Sequence, residues 1–153
     1  MVFDIRVDDL TGGKIRDLLA FHQSDLFGKS PPGTSYALDL SGLESPDVTV
    51  WSVWQDDDLA GCGALKEMEP GWGEIKSMRT ATEHLRKGVA AALLDHIIAA
   101  AKARGYTRLS LETGTGAEFQ PAATLYRKRG FVNGEIFSDY EPSPHNQFMH
   151  LEL

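Results

Sequence analysis

Hydrophobic and polar positions alternate along Phe3–Val7, which predicts a first strand. The spacing then lengthens. Ile15, Leu18, Leu19, His22 and Leu26 recur every three or four residues, which predicts a helix over Lys14–Phe27. Ser30-Pro31-Pro32-Gly33 ends it and opens a loop, and Tyr36–Leu43 is a candidate for a short second helix. Val48–Trp54, rich in β-branched and aromatic residues, reads as a strand. The polar turn Gln55-Asp56-Asp57-Asp58 returns the chain as Leu59–Glu67, and Pro70-Gly71 turns it again into Gly73–Thr80. This part is an antiparallel meander.

Beyond Thr80 the period is helical. Leu85–Arg104 is predicted as a long helix, with Val89, Ala92, Leu93, Ile97 and Ala100 on one face and Gly105 as its stop. Along Thr107–Thr113, Leu109 and Leu111 alternate with Arg108, Ser110 and Glu112, the pattern of a strand. Pro121–Arg129 reads as a further helix closed by Gly130, and strand signals come after it at Phe131–Tyr140 and Phe148–Leu153. Strands joined through the long helix are expected to be parallel neighbours. The fold class is therefore α/β (α+β), a single domain over residues 1–153. Its central mixed sheet has about six or seven strands flanked by helices.

Composition narrows the function. Of 153 residues, 42% are hydrophobic and 24% charged, enough to bury a core in one domain. A net charge of −7 argues against sequence-blind nucleic-acid binding, which needs clustered cations. No apolar run is long enough for a signal peptide or membrane span, so the expected location is cytoplasmic. The lone cysteine, Cys62, forms no intrachain disulfide and suits a reducing compartment. The five histidines lack metal-ligand spacing, so no metal is expected.

The most informative stretch runs from Glu74 to Ala90. It places Arg86 and Lys87 at the start of a helix, where the backbone already carries about half a positive charge. Two readings are open. Either both side chains simply reach into water, or an anion sits there, held by free backbone N–H groups beside Gly88.

Arg86-Lys87-Gly88-Val89-Ala90 after a strand resembles the coenzyme A loop of the GNAT superfamily of N-acetyltransferases. Ala122, Leu125-Tyr126 and Gly130-Phe131 resemble that superfamily's other hallmark, a tyrosine-bearing helix ending in Gly-Phe. Element order matches over the whole chain. Glu74–Thr80 (EIKSMRT) and Leu109–Gly114 (LSLETG) further resemble a bacterial subgroup of unassigned function. Two positions depart. Leu85 stands where the superfamily usually has Arg or Gln, and Phe119 stands where it often has Asn.

The resemblance implies a GNAT fold that takes acetyl-CoA as co-substrate and moves its acetyl group to an amine. It implies that Met78, Arg79, Thr80, Leu85, Arg86, Lys87, Gly88, Val89 and Ala90 bind coenzyme A, with backbone donors near Met78 and Thr80 receiving the thioester and pantetheine. It implies that Tyr126 protonates the departing thiolate, a task a neutral phenol can perform. Two carboxylates are candidate bases. Glu74 has the spacing to Gly88 at which some GNAT proteins keep a catalytic glutamate, and Glu112 ends a sheet strand, where α/β folds gather ligands. Lys76 shares the strand face of Glu74; it either favours an amino-acid-like acceptor or only neutralises the glutamate.

Other residues are read as structural: His96 as packed on the apolar side of its helix, Cys62 as a small core residue, and Trp51, Trp54 and Trp72 as packing. The acceptor, a small molecule or a protein amine, is expected to be read by the loops Ser30–Leu43 and Phe137–Gln147. GNAT proteins commonly form homodimers, so a homodimer is a further expectation. The competing classes are a non-catalytic acyl-CoA-binding or sensing module and a protein-interaction domain built on the Trp51-to-Trp72 surface.

Overall fold

The computed structural model describes residues 2–29 and 39–153. The loop expected at Ser30–Gly33 and the beginning of the helix expected from Tyr36 lie outside them. In chain order the elements are β1 (Asp4–Val7), α1 (Gly13–Lys29), α2 (Leu40–Leu43), β2 (Val48–Gln55), β3 (Asp58–Glu69) and β4 (Trp72–Thr80). Then come α3 (Val89–Ala103), β5 (Arg108–Gly114), α4 (Gln120–Lys128), β6 (Val132–Asn133) and β7 (Asn146–Glu152). The strands form one mixed sheet in the order β1-β2-β3-β4-β5-β7-β6. As expected, β4 and β5, joined through α3, are parallel; every other pair is antiparallel.

Helices cover both faces. On one, Val89, Leu93, Leu94, Ile97 and Ala101 of α3 bury against Leu65, Ile75, Leu109 and Leu111 of the sheet. On the other, Ile15 and Leu19 of α1 pack with Leu43, Val50 and Ala64. Gly61 and Gly63 explain how closely α3 approaches. A Cβ at Gly63 would lie 2.5 Å from Met78 Sδ and 3.0 Å from Leu93, and one at Gly61 would lie 2.8 Å from Val89. Side chains there would push the helix off the sheet. Between the two glycines Cys62 is fully buried, the small core residue expected, and burial pushes its thiol up to about 12.

Four expectations need correction. The helix predicted from Leu85 starts at Val89; Thr82–His84 is a 3₁₀ turn, and Leu85–Gly88 is loop. Arg86 at φ 64° and Gly88 at φ 84° are left-handed, a geometry no helix tolerates. The strand predicted over Phe131–Tyr140 is confined to Val132–Asn133; beyond Asn133 the chain is an irregular strap across the sheet. Ser138 at φ 58° turns that strap, which ladder pairing cannot accommodate. The described part of the second helix is only Leu40–Leu43, capped by Asp39, whose side chain accepts from the Gly42 N–H. Finally, His96 is exposed, lying beside the buried stripe of α3 and meeting Trp51 edge-on at 6.1 Å.

Candidate active site

The site begins with a fault in the sheet. Opposite Cys62–Ala64 of β3, strand β4 runs from Arg79 back to Lys76, one residue more than its partner. The extra residue is absorbed at Ser77, φ 56°, as a β-bulge. A bulge reverses which face later side chains take. Ile75 and Met78 both pack on the α3 side, although plain alternation would separate them. Arg79 is thereby sent to the α1 side, where its guanidinium meets Asp25 at 2.8 Å and its Nε donates to His22 Nδ1 at 2.8 Å.

Pairing between β4 and β5 reaches only Ile75 with Leu111, although both strands continue. The strands part there. A cavity of about 730 Å³ opens between them, reaching from the start of α3 to α4 and the strap.

One wall is the start of α3. Its N-cap is Gly88, and no side chain caps it. Ala92 N–H makes the first bond back, to Gly88 O at 3.0 Å, so the first-turn N–H groups have no helical acceptor. Gly88, Val89, Ala90 and Ala91 line the cavity, as do Leu85 and Arg86. A Cβ on Gly88 would meet nothing within 4 Å, so the backbone there is open to an approaching group. Donors, dipole and a cation together suit a pyrophosphate. Lys87 is placed differently: its Nζ lies 3.4 Å from His84 Nδ1, and its side chain does not line the cavity. The wall's cation is Arg86.

Tyr126 comes from α4, which begins with Pro121 in its first turn. Its ring is buried edge-on against Phe131, centroids 5.7 Å apart, and the residue lines the cavity. Burial raises its phenol to about 12, so it stays protonated across the physiological range and keeps a proton to donate there. Phe119, at the position where the superfamily often has asparagine, also lines the cavity.

The opposite wall is made of side chains. Glu74, 3% exposed, faces the cavity from β4. Lys76 Nζ reaches Glu74 Oε2 at 3.2 Å, an ion pair with little exposure on either side chain. Tyr140 of the strap donates its hydroxyl to the same oxygen and accepts from Lys76 Nζ at 2.6 Å. Glu112 on β5 accepts from Asn146 Nδ2. Burial raises the Glu112 carboxyl above the usual carboxylate range, and the charge of Glu74 adds to this; the Asn146 bond and Lys76 oppose it. Glu74, Glu112 and Tyr126 thus face one cavity despite their separation in sequence.

The sequence pattern pointed to the loop Phe137–Gln147 but not to Tyr140 or Asn146 within it, and it did not disclose His22 or Asp25. Tyr140 falls at the end of a predicted strand, and no spacing rule joins it to Glu74. His22 reads as part of an apolar helix face, and it is buried; burial first, then the Arg79 charge, lowers it to about 4, with Asp25 opposing. Among the described residues no three His, Cys, Asp or Glu side chains cluster to hold a metal, and no helix is long and apolar enough to cross a membrane.

Comparison with known proteins places this geometry. Residues 15–131 match the model of the acetyltransferase (GNAT) family. The chain is 51% identical over 149 residues to an uncharacterized N-acetyltransferase of Bacillus subtilis, YsnE, covering 97% of this chain and 99% of the relative. A Klebsiella pneumoniae structure assigned as an acyl-CoA N-acyltransferase superposes with a TM-score of 0.82 at 27% identity, covering 99% of this chain and 98% of that one. A GNAT family acetyltransferase from Elizabethkingia anophelis, with acetyl-CoA bound, shares the fold at a TM-score of 0.71 and 19% identity, covering 99% and 98%. The chain belongs to the GNAT acetyltransferase family and is an acetyl-CoA-dependent N-acetyltransferase.

Proposed function

We propose that the acceptor is the amine of a small molecule, deprotonated by Glu74, with Tyr126 protonating the departing thiolate. The observation that carries this reading is the parting of β4 from β5, which puts Glu74 and Tyr126 on one cavity. An aliphatic amine with a pKa near ~10 is almost fully protonated at neutral pH, so a base is needed before its lone pair can attack. Glu74 takes that proton, the nitrogen bonds the acetyl carbon, the carbon–sulfur bond breaks as the Tyr126 hydroxyl gives its proton to sulfur, and the surplus N–H proton of the new amide passes to the phenolate, restoring the tyrosine. Because Glu74 is recessed, an amine carried on a narrow stem reaches it most readily.

Coenzyme A is held, in this reading, by the N–H groups of Gly88, Val89 and Ala90 with Arg86 on the pyrophosphate. Backbone at Met78, Arg79 and Thr80 receives the pantetheine and the thioester oxygen, while Leu85 contributes apolar contact. Lys87 contributes through its backbone, since its side chain turns to His84. Lys76 positions Glu74; being paired already, it gives little pull on an acceptor carboxylate.

The test is release of free thiol from acetyl-CoA across a panel of simple amines, amino acids and short peptides. Acetylation of a small amine, with Tyr126→Phe slowing turnover roughly 100-fold at unchanged coenzyme A affinity, is the expected result. Acetylation of peptides alone would sink the small-molecule reading. Faster rates on amino acids than on their decarboxylated amines would restore a preference for a carboxylate.

A further inference from the structure

We propose that Tyr140 is a positioning residue for Glu74, so that the strap between β6 and β7 completes the acceptor side of the site. This rests on Glu74 being the base. Both bonds that described residues make to the carboxylate fall on one oxygen: Tyr140 Oη and Lys76 Nζ each engage Oε2. Tyr140 Oη also accepts from Lys76 Nζ at 2.6 Å, closing a three-membered clamp. A carboxylate fixed at one oxygen cannot swing about its stem, and Oε1 is the oxygen left to meet an incoming amine.

The strap is built to hold that hydroxyl in place. Its hub is Phe137, 6% exposed, which packs edge-on against Phe148 at 5.8 Å, His150 at 5.6 Å and Tyr140 at 5.3 Å. A buried polar chain pins its beginning. Trp72 Nε1 donates to Ser110 Oγ at 2.8 Å, Ser110 Oγ lies 2.7 Å from His150 Nδ1, and His150 Nε2 lies 2.8 Å from Glu135 O. With the serine oxygen accepting from tryptophan, its own proton goes to Nδ1, and Nε2–H donates to the strap carbonyl. Two residues before Tyr140, Ser138 holds φ 58°, a conformation serine adopts only under constraint from its surroundings. Packing, polar chain and strained turn converge on one tyrosine, whose hydroxyl ends on the carboxylate.

The experiment is a double-mutant cycle of Tyr140→Phe and Glu74→Gln. It reads turnover on the best aliphatic amine of the panel and on hydroxylamine, which is unprotonated at neutral pH. Phenylalanine keeps the ring contacts and removes only the hydroxyl. Tyr140→Phe is expected to keep coenzyme A affinity and lower kcat on the aliphatic amine by ~10-fold, below the roughly 100-fold of losing a proton-transfer group itself. The defect should shrink as pH rises, be smaller with hydroxylamine, and vanish when Glu74 is already Gln. Wild-type turnover in Tyr140→Phe, or a loss that adds in full to that of Glu74→Gln, overturns the positioning role while leaving the base intact. Wild-type turnover in Glu74→Gln instead removes the base, and the positioning role falls with it. An independent reading needs no acceptor: amide exchange over residues 137–142 should quicken in Glu74→Ala. Unchanged exchange there overturns the clamp.

Discussion

One wall of the cavity, the acyl-donor side in the proposed reading, presents backbone, and the other, the acceptor side, presents side chains. At the start of α3 the groups facing the cavity are first-turn N–H donors and an open glycine, with Arg86 of the preceding loop beside them. Across from them stand Glu74, Lys76, Tyr140, Glu112 and Asn146, each tied to another by a hydrogen bond. A backbone cradle recognises what is constant, a pyrophosphate, and tolerates changes of side chain around it. A side-chain network recognises what varies between enzymes, and a single substitution rewires it. In the proposed reading, the same division separates a shared co-substrate from a private acceptor.

The sharpest way to break this comparison is to put a side chain into the cradle. Gly88 has φ 84° and free space around its missing Cβ, so alanine there is strained but not blocked. Gly88→Ala should lower folding stability by about 1–2 kcal/mol through backbone strain and leave coenzyme A affinity nearly unchanged. Gly88→Glu adds a negative charge facing the phosphates and should weaken it by ~100-fold or more, a loss of about 2.7 kcal/mol. Calorimetry on both variants measures it. Equal affinity in Gly88→Glu and wild type would mean the pyrophosphate lies elsewhere.

The two walls also differ in how much of them the sequence discloses. The cradle is written in consecutive residues, Arg86 to Ala90, and a glycine among cations after a strand is visible without any fold. The same holds for the parallel pair around α3, where period and stop signals agree. The acceptor wall joins positions 74, 76, 112, 140 and 146, which only the folded sheet brings together. Its key tyrosine lies on a strap whose Phe131–Tyr140 apolar pattern mimics a strand, because Phe137 and Tyr140 face a core that no ladder supports. The bulge at Ser77 was equally invisible, since serine carries no signal for a positive φ. Yet the bulge decides that Arg79 faces α1.

On the acceptor wall the next largest effect separates the two carboxylates. Glu74→Gln should slow turnover by ~10- to 100-fold near neutral pH, with the loss shrinking as pH rises and free amine becomes abundant. Glu112→Gln should change turnover little and weaken acceptor binding through its bond to Asn146. Because burial raises Glu112, its charge is lost at higher pH than that of an ordinary glutamate, so wild-type acceptor affinity should fall on the acid side. A pH–rate profile of both variants with one acceptor decides the matter. A pH-independent Glu74→Gln defect, or a larger one in Glu112→Gln, would exchange their roles.

The cluster of Arg79 with His22 and Asp25 on the α1 side predicts an acid-sensitive stability. His22 is held neutral, at about 4 in the folded protein against an ordinary 6.5. A base whose folded value is lowered binds fewer protons folded than unfolded. Its contribution is therefore present above pH 6.5, lost as pH falls, and gone by about 4. The full effect is about 3 kcal/mol at most. Denaturant melts from pH 7 to 4 should show this decline, and His22→Gln should flatten it. An unaltered slope in that variant would place the acid sensitivity in other groups.

The smallest effect tests the claim that only one of the two loop cations serves the cradle. Arg86 lines the cavity, whereas Lys87 Nζ lies 3.4 Å from His84 Nδ1. His84 in turn lies 4.0 Å from Asp58 on the β3 side, so the lysine stem ties the loop to the sheet. Arg86→Ala removes a charge-assisted contact to phosphate and should weaken coenzyme A about 10-fold, with a shallower salt dependence. It also relieves no strain, because alanine at φ 64° is no better placed than arginine. Lys87→Ala should leave affinity within about 2-fold, the scale of a partly exposed charge. Titrations of both variants at low and high salt separate the cases. A Lys87→Ala loss equal to that of Arg86→Ala, falling equally with salt, would show that the lysine swings from His84 onto the phosphates and that the cradle holds two cations.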